Sequence, residues 1–435
     1  MLVIQNIWWL LVLIGVMILI HELGHFWAAR FFDVRVDVFS FGFGPRLFGF
    51  VRGETDFRFS AILFGGYVKM AGEQPGEETS DPRAFVSKPR WQRLIIAFAG
   101  PAMNIILAVG LLGGLFMYRY PRLKNADAPA TIGFVQKGSA AAEAGMQDGD
   151  VIVQIDGIVD PKWEDVLLHE VASARKTMQV HYMRGTDRRI ANVTPVLDNK
   201  SGVGNAGWEE RNEVQVAGVL GKTDAERKGV QRGDVLTGVN GTSIHSLATL
   251  HDAIRHSEGN PVRLTWLRSG QEYSSDIKPA WSEEDKRWMI GVQLERPVII
   301  TRLSFPEAMR ESVRQNVKGA SLIYQFLEGL LERRMSAKSL EGPIGIARLS
   351  GDAAREGPTA FVGLMAMVSL NLAVFNLLPI PILDGGLILM LLIEILMRRD
   401  MSLQLKEAVF KVGMVFLMVV VVFVLYNDIS KLLPG

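Results

Sequence analysis

The sequence predicts a polytopic α-helical membrane protein carrying a duplicated α+β insert, and three observations predict it. Apolar residues make up 49% of the 435 residues, and they are clumped rather than spread. Four of the clumps are long enough to cross about 30 Å of hydrocarbon. Between the second and third lies a polar stretch, Ala126–Gly357, in which one segment recurs.

The first apolar stretch, roughly Leu2–Ile20, has only Gln5 and Asn6 as interior polar residues. It reads as a span rather than a signal peptide. No Lys or Arg precedes it, and no small-residue cleavage site follows. The second span is about Leu94–Phe116 and the third about Thr359–Leu383. The fourth is about Ala408–Tyr426, where Lys411 can snorkel to an interface. The run Leu387–Met397 is too short to cross upright and contains Glu394, so it reads as an interfacial or re-entrant piece. The net charge of +1 gives no reason to expect a nucleic-acid partner. With no cysteine there is no disulfide framework and no thiolate nucleophile or ligand.

Within the insert, EAGMQDGDVIVQIDG (Glu143–Gly157) matches RKGVQRGDVLTGVNG (Arg227–Gly241) at an offset of 84 residues. The offset persists without gaps. Asp150 pairs with Asp234, Arg184 with Arg268 and Pro195 with Pro279. A gapless period of this length indicates two copies of one globular module. Each copy reads as short strands around Gly-Asp turns plus one helix, near Glu164–Ala174 and Leu247–His256. The pattern A-G-x-x-x-G-D-x-I-x-x-I-x-G resembles a PDZ domain, more clearly in the first copy, since Lys228 and Val230 depart from its commonest form. Such modules take an extended peptide by strand addition. No carboxylate-binding loop is evident, so spacers or steric shields are the competing reading. Domain boundaries fall at 126–197 and 214–280. The intervening Gly/Asn-rich stretch, about Val196–Glu213, is given no role. In the linker 281–357, Leu303–Met335 carries Val313, Val317, Ile323, Phe326, Leu327, Leu330 and Leu331 near one helical stripe. That helix either lies on the outer membrane surface or packs on the second module.

Lys and Arg placement sets orientation. The loop between the first two spans carries Arg30, Arg35, Arg46, Arg52, Arg58, Lys69, Arg83, Lys88, Arg90 and Arg93, and Arg398, Arg399 and Lys406 precede the fourth. Both loops are expected to be cytoplasmic, and the insert outside. Spans one and three then run in the same direction, so His21–His25 and Asp384 reach one depth near the cytoplasmic face.

That depth matters because ionisable residues inside a membrane are costly and usually functional. His21 and His25 are four apart, so on a helix they share a face and can grip one ion. With Glu22 they form the HExxH arrangement of a zinc hydrolase, in which a carboxylate takes a proton from the attacking water. A third protein ligand is needed. Two acids compete. Asp384 follows Pro379 and Pro381, which disfavour helix, and precedes Gly385 and Gly386, which loosen the chain. An opened segment at membrane depth must line a cavity or be buried in protein. It can aim Asp384 at a metal and offer backbone groups to a substrate. Glu394 sits in an ordinary helical pattern near Arg398 and Arg399 and is expected to pair at the interface. Asp384 is therefore the expected ligand.

HELGH, AGPAMN (Ala99–Asn104), NLLPIPILDGG (Asn376–Gly386) and LEGPIGIA (Leu340–Ala347) together resemble the site-2 protease family of intramembrane zinc metalloproteases. Tandem PDZ modules between spans two and three narrow the resemblance to its bacterial sigma-E-regulating branch. The likeness covers essentially the whole chain. It implies four transmembrane helices, two inserted α+β PDZ domains, and a membrane-associated β-hairpin at about Arg46–Met70. It implies His21, His25 and Asp384 as ligands of Zn²⁺ and Glu22 as general base. Asn376 is implied to hold substrate, and Pro379, Gly66 and Tyr67 are grouped with it as substrate-binding. The hairpin would take the substrate as an added strand. Many relatives have His where this chain has Leu387, a position without a role in this scheme. Asn104 and the Gly100–Pro101 break either serve the site or merely let helices pack closely. His169, His181, His245, His251 and His256 lack ligand spacing.

The expected activity is zinc-dependent hydrolysis of a peptide bond inside the membrane. The implied substrates are single-pass membrane proteins already trimmed outside, typically an anti-sigma factor, with remnant signal peptides as another class. Partners are the lipid bilayer and a possible peptide ligand of the PDZ modules. The location is a bacterial inner membrane, multi-pass, with the PDZ domains periplasmic. A metal transporter would need polar ligands across several spans, which are not furnished. A catalytically silent PDZ scaffold or chaperone is the alternative, yet it would not need His21, Glu22, His25 and Asp384.

Overall fold

The computed structural model describes residues 2–73, 80–198, 202–283, 285–337 and 341–432. They form two compact units, Met1–Tyr120 with Arg302–Tyr324 and Leu340–Gly435, and Pro121–Thr301 with Gln325–Ser339. Leu340 of LEGPIGIA and residues 199–201 of the linker lie outside the described residues.

The first unit contains four helices long and apolar enough to cross a membrane: Leu2–Phe31, Arg90–Tyr118, Pro358–Asn376 and Leu403–Leu432. The first has 30 residues, about 45 Å at 1.5 Å per residue. It therefore runs past the apolar stretch and carries HELGH within its second half. Gly24 brings it against the second helix, where a Cβ would lie 2.3 Å from the Ala99 carbonyl oxygen. Small residues permit such close backbone approach between membrane helices.

The third span is shorter than expected. Its helix stops at Asn376, because Pro379 and Pro381 cannot continue it. Leu387–Met397, expected as an interfacial or re-entrant piece, is the body of a 14-residue helix that begins at Asp384 and ends at Met397. Glu394 on that helix is fully buried and does not pair with Arg398 or Arg399. It accepts from Lys406 Nζ at 2.7 Å and from the Met401 backbone N–H at 3.0 Å, and faces Arg93 at 3.9 Å. A buried carboxylate needs cations within its own core, and the two arginines lie past the helix end. The GPIGIA motif begins a helix, Pro343–Glu356, whose first amides are capped by Asp428. This residue accepts from Gly342 and Ile344 at 2.8 and 2.9 Å.

The hairpin is longer and more folded than the expected Arg46–Met70. Its strands are Val36–Arg52 and Thr55–Met70. Phe39 faces both Val68 and Phe57, and Phe41 faces both Gly66 and Phe59, while Phe50 faces Phe57. The ribbon is thus folded back into a sheet whose order is 46–52, 55–60, 36–41 and 66–70. Residues 66–70 form one edge, and no further strand pairs with them among the described residues. Leu47, Phe48, Phe50 and Val51 are exposed, as suits a surface in contact with lipid.

Phe305–Leu331 is one helix. In its first half the buried face is not the apolar stripe. Val313 and Val317 are exposed, while Ala308, Ser312 and Asn316 are buried, and the Ser312 hydroxyl donates to the Val109 carbonyl at 2.7 Å. Next to a membrane span, small and polar residues face protein and apolar ones face outward. Further along, Phe326 and Leu330 pack with Ala172 and Ala174 of the first module, not on the second.

The second unit holds two modules of one topology. The first sheet runs Trp208–Glu210, Ala130–Val135, Val151–Ile155, Met178–Arg184, Asp187–Val193. The second runs Val292–Glu295, Val214–Val219, Val235–Val239, Val262–Arg268, Gln271–Ile277. Each has one ten-residue helix, Trp163–Ala172 or Leu247–His256. The repeat is visible atom by atom. Arg184 grips buried Asp150 through Nε and Nη2, both at 2.8 Å, and Arg268 grips Asp234 at 2.7 Å through the same atoms. Each aspartate also accepts one turn amide, from Gln147 or Gln231, at 2.8 Å. Bidentate pairs of this kind hold the Gly-Asp turn against the strand Met178–Arg184 or Val262–Arg268. The stretch given no role from sequence supplies the edge strand Trp208–Glu210 of the first sheet.

Glu170, on the first module's helix, is buried and accepts from Ala206 N at 2.6 Å and Trp208 Nε1 at 2.9 Å. Burial pushes its carboxyl up from 4.5 to about 7, against the pull of those two donors. The native module therefore holds this proton more tightly than the unfolded chain. Its contribution to stability is full below about 4.5 and is lost as pH rises to about 7. Hydrogen-exchange protection of the strand amides in 178–193, corrected for intrinsic exchange, should fall between pH 5 and pH 8. The slope should vanish in Glu170→Leu.

Candidate metal centre

The candidate metal centre is assembled from four helices of the first unit and the turn between the last two. His21 and His25 are one turn apart on the first helix, so both rings leave the same face. Asp384 is the first residue of the helix Asp384–Met397. It is delivered there by the turn after Asn376, which folds directly over the helix start. A Cβ on Gly385 would lie 2.2 Å from the Leu378 carbonyl oxygen, and one on Gly386 would lie 2.4 Å from that of Ile380. Only glycine fits either place.

The three side chains converge. His21 Nε2 lies 3.2 Å from His25 Nε2 and 3.2 Å from Asp384 Oδ2, and His25 Nε2 lies 3.4 Å from Asp384 Oδ1. Among the described residues these three form the group of ligating side chains able to share one ion. In a tetrahedral zinc site with ligands at about 2.0–2.1 Å, ligand atoms stand about 3.3 Å apart. The spacing fits.

The outer hydrogen bonds fit as well. His25 Nδ1 lies 2.8 Å from the Ile96 carbonyl oxygen. A carbonyl only accepts, so Nδ1 carries the proton and Nε2 keeps its lone pair. His21 Nδ1 lies 3.2 Å from the Asn104 side-chain amide. Asn104 is fully buried, and its Oδ1 is left without a partner when Nδ2 faces the ring. With the amide O and N exchanged, Oδ1 accepts from His21 Nδ1. Both Nε2 lone pairs then point at the carboxylate, an arrangement that calls for a cation.

The second helix makes room for this. A Cβ on Gly100 would come within 2.2 Å of His25 Nε2. Asn104 is fixed in turn by the third helix, where the Ser369 hydroxyl donates to the Asn104 carbonyl at 2.9 Å. The open alternative for AGPAMN is thereby answered, because the motif both packs the helices and orients the rings. Sequence reasoning did not single out Ile96 or Ser369. One contributes only a carbonyl and the other a lone hydroxyl, and neither leaves a pattern.

Beside the three ligating groups is a cavity of about 160 Å³ lined by Glu22, Gly66, Tyr67, Glu73, Asp384 and Leu387, among others. Glu22 and the edge residues Gly66 and Tyr67 therefore meet at one place. A Cβ on Gly66 would lie 3.2 Å from Glu22 Cγ. Leu387, without a role in the sequence scheme, forms part of the wall. Asn376 closes the third helix with Nδ2 3.5 Å from His21 Nε2. Pro379 is exposed and lies outside the cavity lining. Several histidines of the second unit have separate carboxylate partners, as His169 has Asp156 and His245 has Asp148.

Residues 9–420 match the family model described as peptidase family M50. The chain is 31% identical to a protein named as a zinc metalloprotease from Neisseria meningitidis, over 96% of this chain and 97% of that one. It is 29% identical to a protein of the same name from Vibrio cholerae, covering 97% and 98% of the two chains. It is likewise 29% identical to the regulator of sigma-E protease of Escherichia coli, with the same coverage.

Loss of an outer partner of a ligating histidine typically weakens metal binding 10- to 100-fold. Asn104→Ala should therefore lose metal to a graded chelator series about tenfold earlier than wild type. Gly100→Val, which drives side-chain atoms into His25, should lose more. Metal content of the purified proteins after each chelator step is the measurement.

Proposed function

The chain belongs to peptidase family M50 and is an intramembrane zinc metalloprotease, and on that premise we propose how its residues do the work. His21, His25 and Asp384 hold the ion. The observation that carries this is the convergence of two histidine lone pairs and one carboxylate at tetrahedral spacing. Bound there, Zn²⁺ supplies Lewis acidity to the attacking water and the scissile carbonyl. Glu22 takes the water proton and delivers it to the leaving amine, so the carboxylate begins and ends the cycle ionised. Asn376 directs its amide at the same point and positions the substrate peptide.

The substrate must reach this point as an extended strand. A helix hides each scissile carbonyl in an i→i−4 hydrogen bond. Residues 66–70 offer an open sheet edge, and Gly66 places it beside Glu22 without a side chain in the way. Gly66 and Tyr67 bind the substrate backbone by strand addition. Pro379 acts at a distance from the cavity, by ending the third helix so that Asp384 can turn inward.

By its likeness to the sigma-E protease regulators, the substrate class is a single-pass membrane protein already trimmed outside, of the anti-sigma-factor kind. Remnant signal peptides share that chemistry. The location is a bacterial inner membrane, with the active site near the cytoplasmic face and the two modules, read as PDZ domains, in the periplasm. The modules act as a filter against untrimmed substrates. The Lys and Arg placement around the spans supports this orientation.

Glu22→Gln should abolish cleavage of a tagged single-pass substrate in proteoliposomes while leaving zinc content unchanged. Cleavage by this variant at the wild-type rate would remove Glu22 from the mechanism. Wild-type cleavage should stop with a chelator and return with zinc. Gly66→Val should lower kcat/KM at least about tenfold, again with zinc retained. Deleting residues 126–295, both modules with their edge strands, should admit an untrimmed substrate; unchanged selectivity would exclude the filter.

A further inference from the structure

The two modules share their loop geometry but not its electrostatics. In the first, residues 204–207 lead into the edge strand Trp208–Glu210. In the second, the residues at the same offset, 288–291, lead into Val292–Glu295. Gly207 and Gly291 both take positive φ, 81° and 78°. Their carbonyls accept from equivalent amides, Gln136 N and Leu220 N, each at 2.8 Å. An extended peptide that adds to either edge strand would bring its chain end to this loop, where backbone N–H groups can capture a terminal carboxylate.

In the first module that capture has already happened within the chain. Glu170 Oε1 accepts from Ala206 N at 2.6 Å, and Oε2 accepts from Trp208 Nε1 at 2.9 Å. The carboxylate is buried, at 5% exposure. It comes from the helix Trp163–Ala172, whose end packs on the loop so tightly that a Cβ on Gly204 would lie 2.3 Å from the Glu170 carbonyl oxygen. The equivalent helix position in the second module is Ile254, equally buried and apolar. The second module reaches the same fold with a hydrocarbon at this place, so packing alone does not demand the acid.

We propose that Glu170 is an internal stand-in for a ligand carboxylate, and that it closes the first module to peptide chain ends. The occluded site would take an extended peptide with a free C-terminal carboxylate. Displacing Glu170 opens it. Removing the acid frees the Ala206 and Trp208 N–H groups for bonds to a ligand. The two modules are therefore not equivalent receptors, despite their common ancestry in sequence.

The test uses the full chain in detergent micelles. The probe is a short peptide ending in free-acid valine and carrying a photo-crosslinker, alongside its C-terminal amide. Crosslinks within 163–172 and 204–210 are mapped by mass spectrometry. Wild type should give no free-acid-dependent crosslink there, and Glu170→Leu should give at least about tenfold more. The amide probe should gain nothing. Wild type crosslinking in this module as well as Glu170→Leu does would overturn the proposal, as would a folded Glu170→Leu protein that gains none. Amide protection of 178–193 reports folding. Should Glu170→Leu fail that check, Glu170→Gln decides by the same comparison. It keeps the volume and one acceptor but removes the charge.

Discussion

The first unit is organised around one constraint: two imidazoles and a carboxylate, drawn from positions 21, 25 and 384, must bring their lone pairs to one point inside a membrane. Three like acceptors do not gather there unaided. The fold restrains each from behind. Ile96 holds one ring and Asn104 the other, and the start of a helix holds the carboxylate. Those restraints need backbone contact between helices that ordinary side chains would forbid. Hence Gly24 meets Ala99, Gly100 meets His25, and Gly385 and Gly386 sit under the turn that follows Asn376. The glycines are where the metal centre's geometry is set.

The second unit follows a different logic. Its two modules are held by the same buried aspartate–arginine pair, repeated at nearly the same distances. A pair of this kind is costly to break and fixes the turn it spans. Duplication preserved that pair while side chains packed around the shared loop diverged. Where one copy has Glu170 the other has Ile254, and where one has Trp208 the other has Val292. The indole N–H of Trp208 and the carboxylate of Glu170 satisfy each other, so neither would be tolerated in the core alone. The two substitutions are coupled.

Much of this was legible in the sequence, and the limits have physical causes. The HExxH spacing and the proline–glycine break around Asp384 pointed to the three side chains that converge, because metal chemistry demands specific residues at specific intervals. The gapless offset located both modules. The extent of the folded ribbon was missed, since Val36–Ser40 alternates weakly and its pairing is non-local. Glu394 was assigned to the interface, although it is buried and its cations come from other elements. The first half of the helix Phe305–Leu331 turned a polar face inward. Beside membrane spans the usual reading of an amphipathic stripe inverts, and composition alone does not say which solvent a helix meets. The edge strand Trp208–Glu210 was hidden because three residues carry no period.

One further consequence joins the sheet edge to the metal centre. Drawing a helical segment into extended form frees backbone groups that lipid cannot satisfy, at several kcal/mol each. A protease working at that depth must supply partners at the moment the helix opens. The 66–70 edge is suited to this, since its neighbours 36–41 are already paired on both sides and leave only the outer edge free. Gly66 brings that edge within a side chain's length of Glu22. Unwinding, capture and proton transfer can then occur at one place, and a segment too stable to unwind would be rejected before the base is engaged. Selectivity on this view resides in the cost of opening the substrate helix, and the residues of the metal centre need recognise no sequence at all.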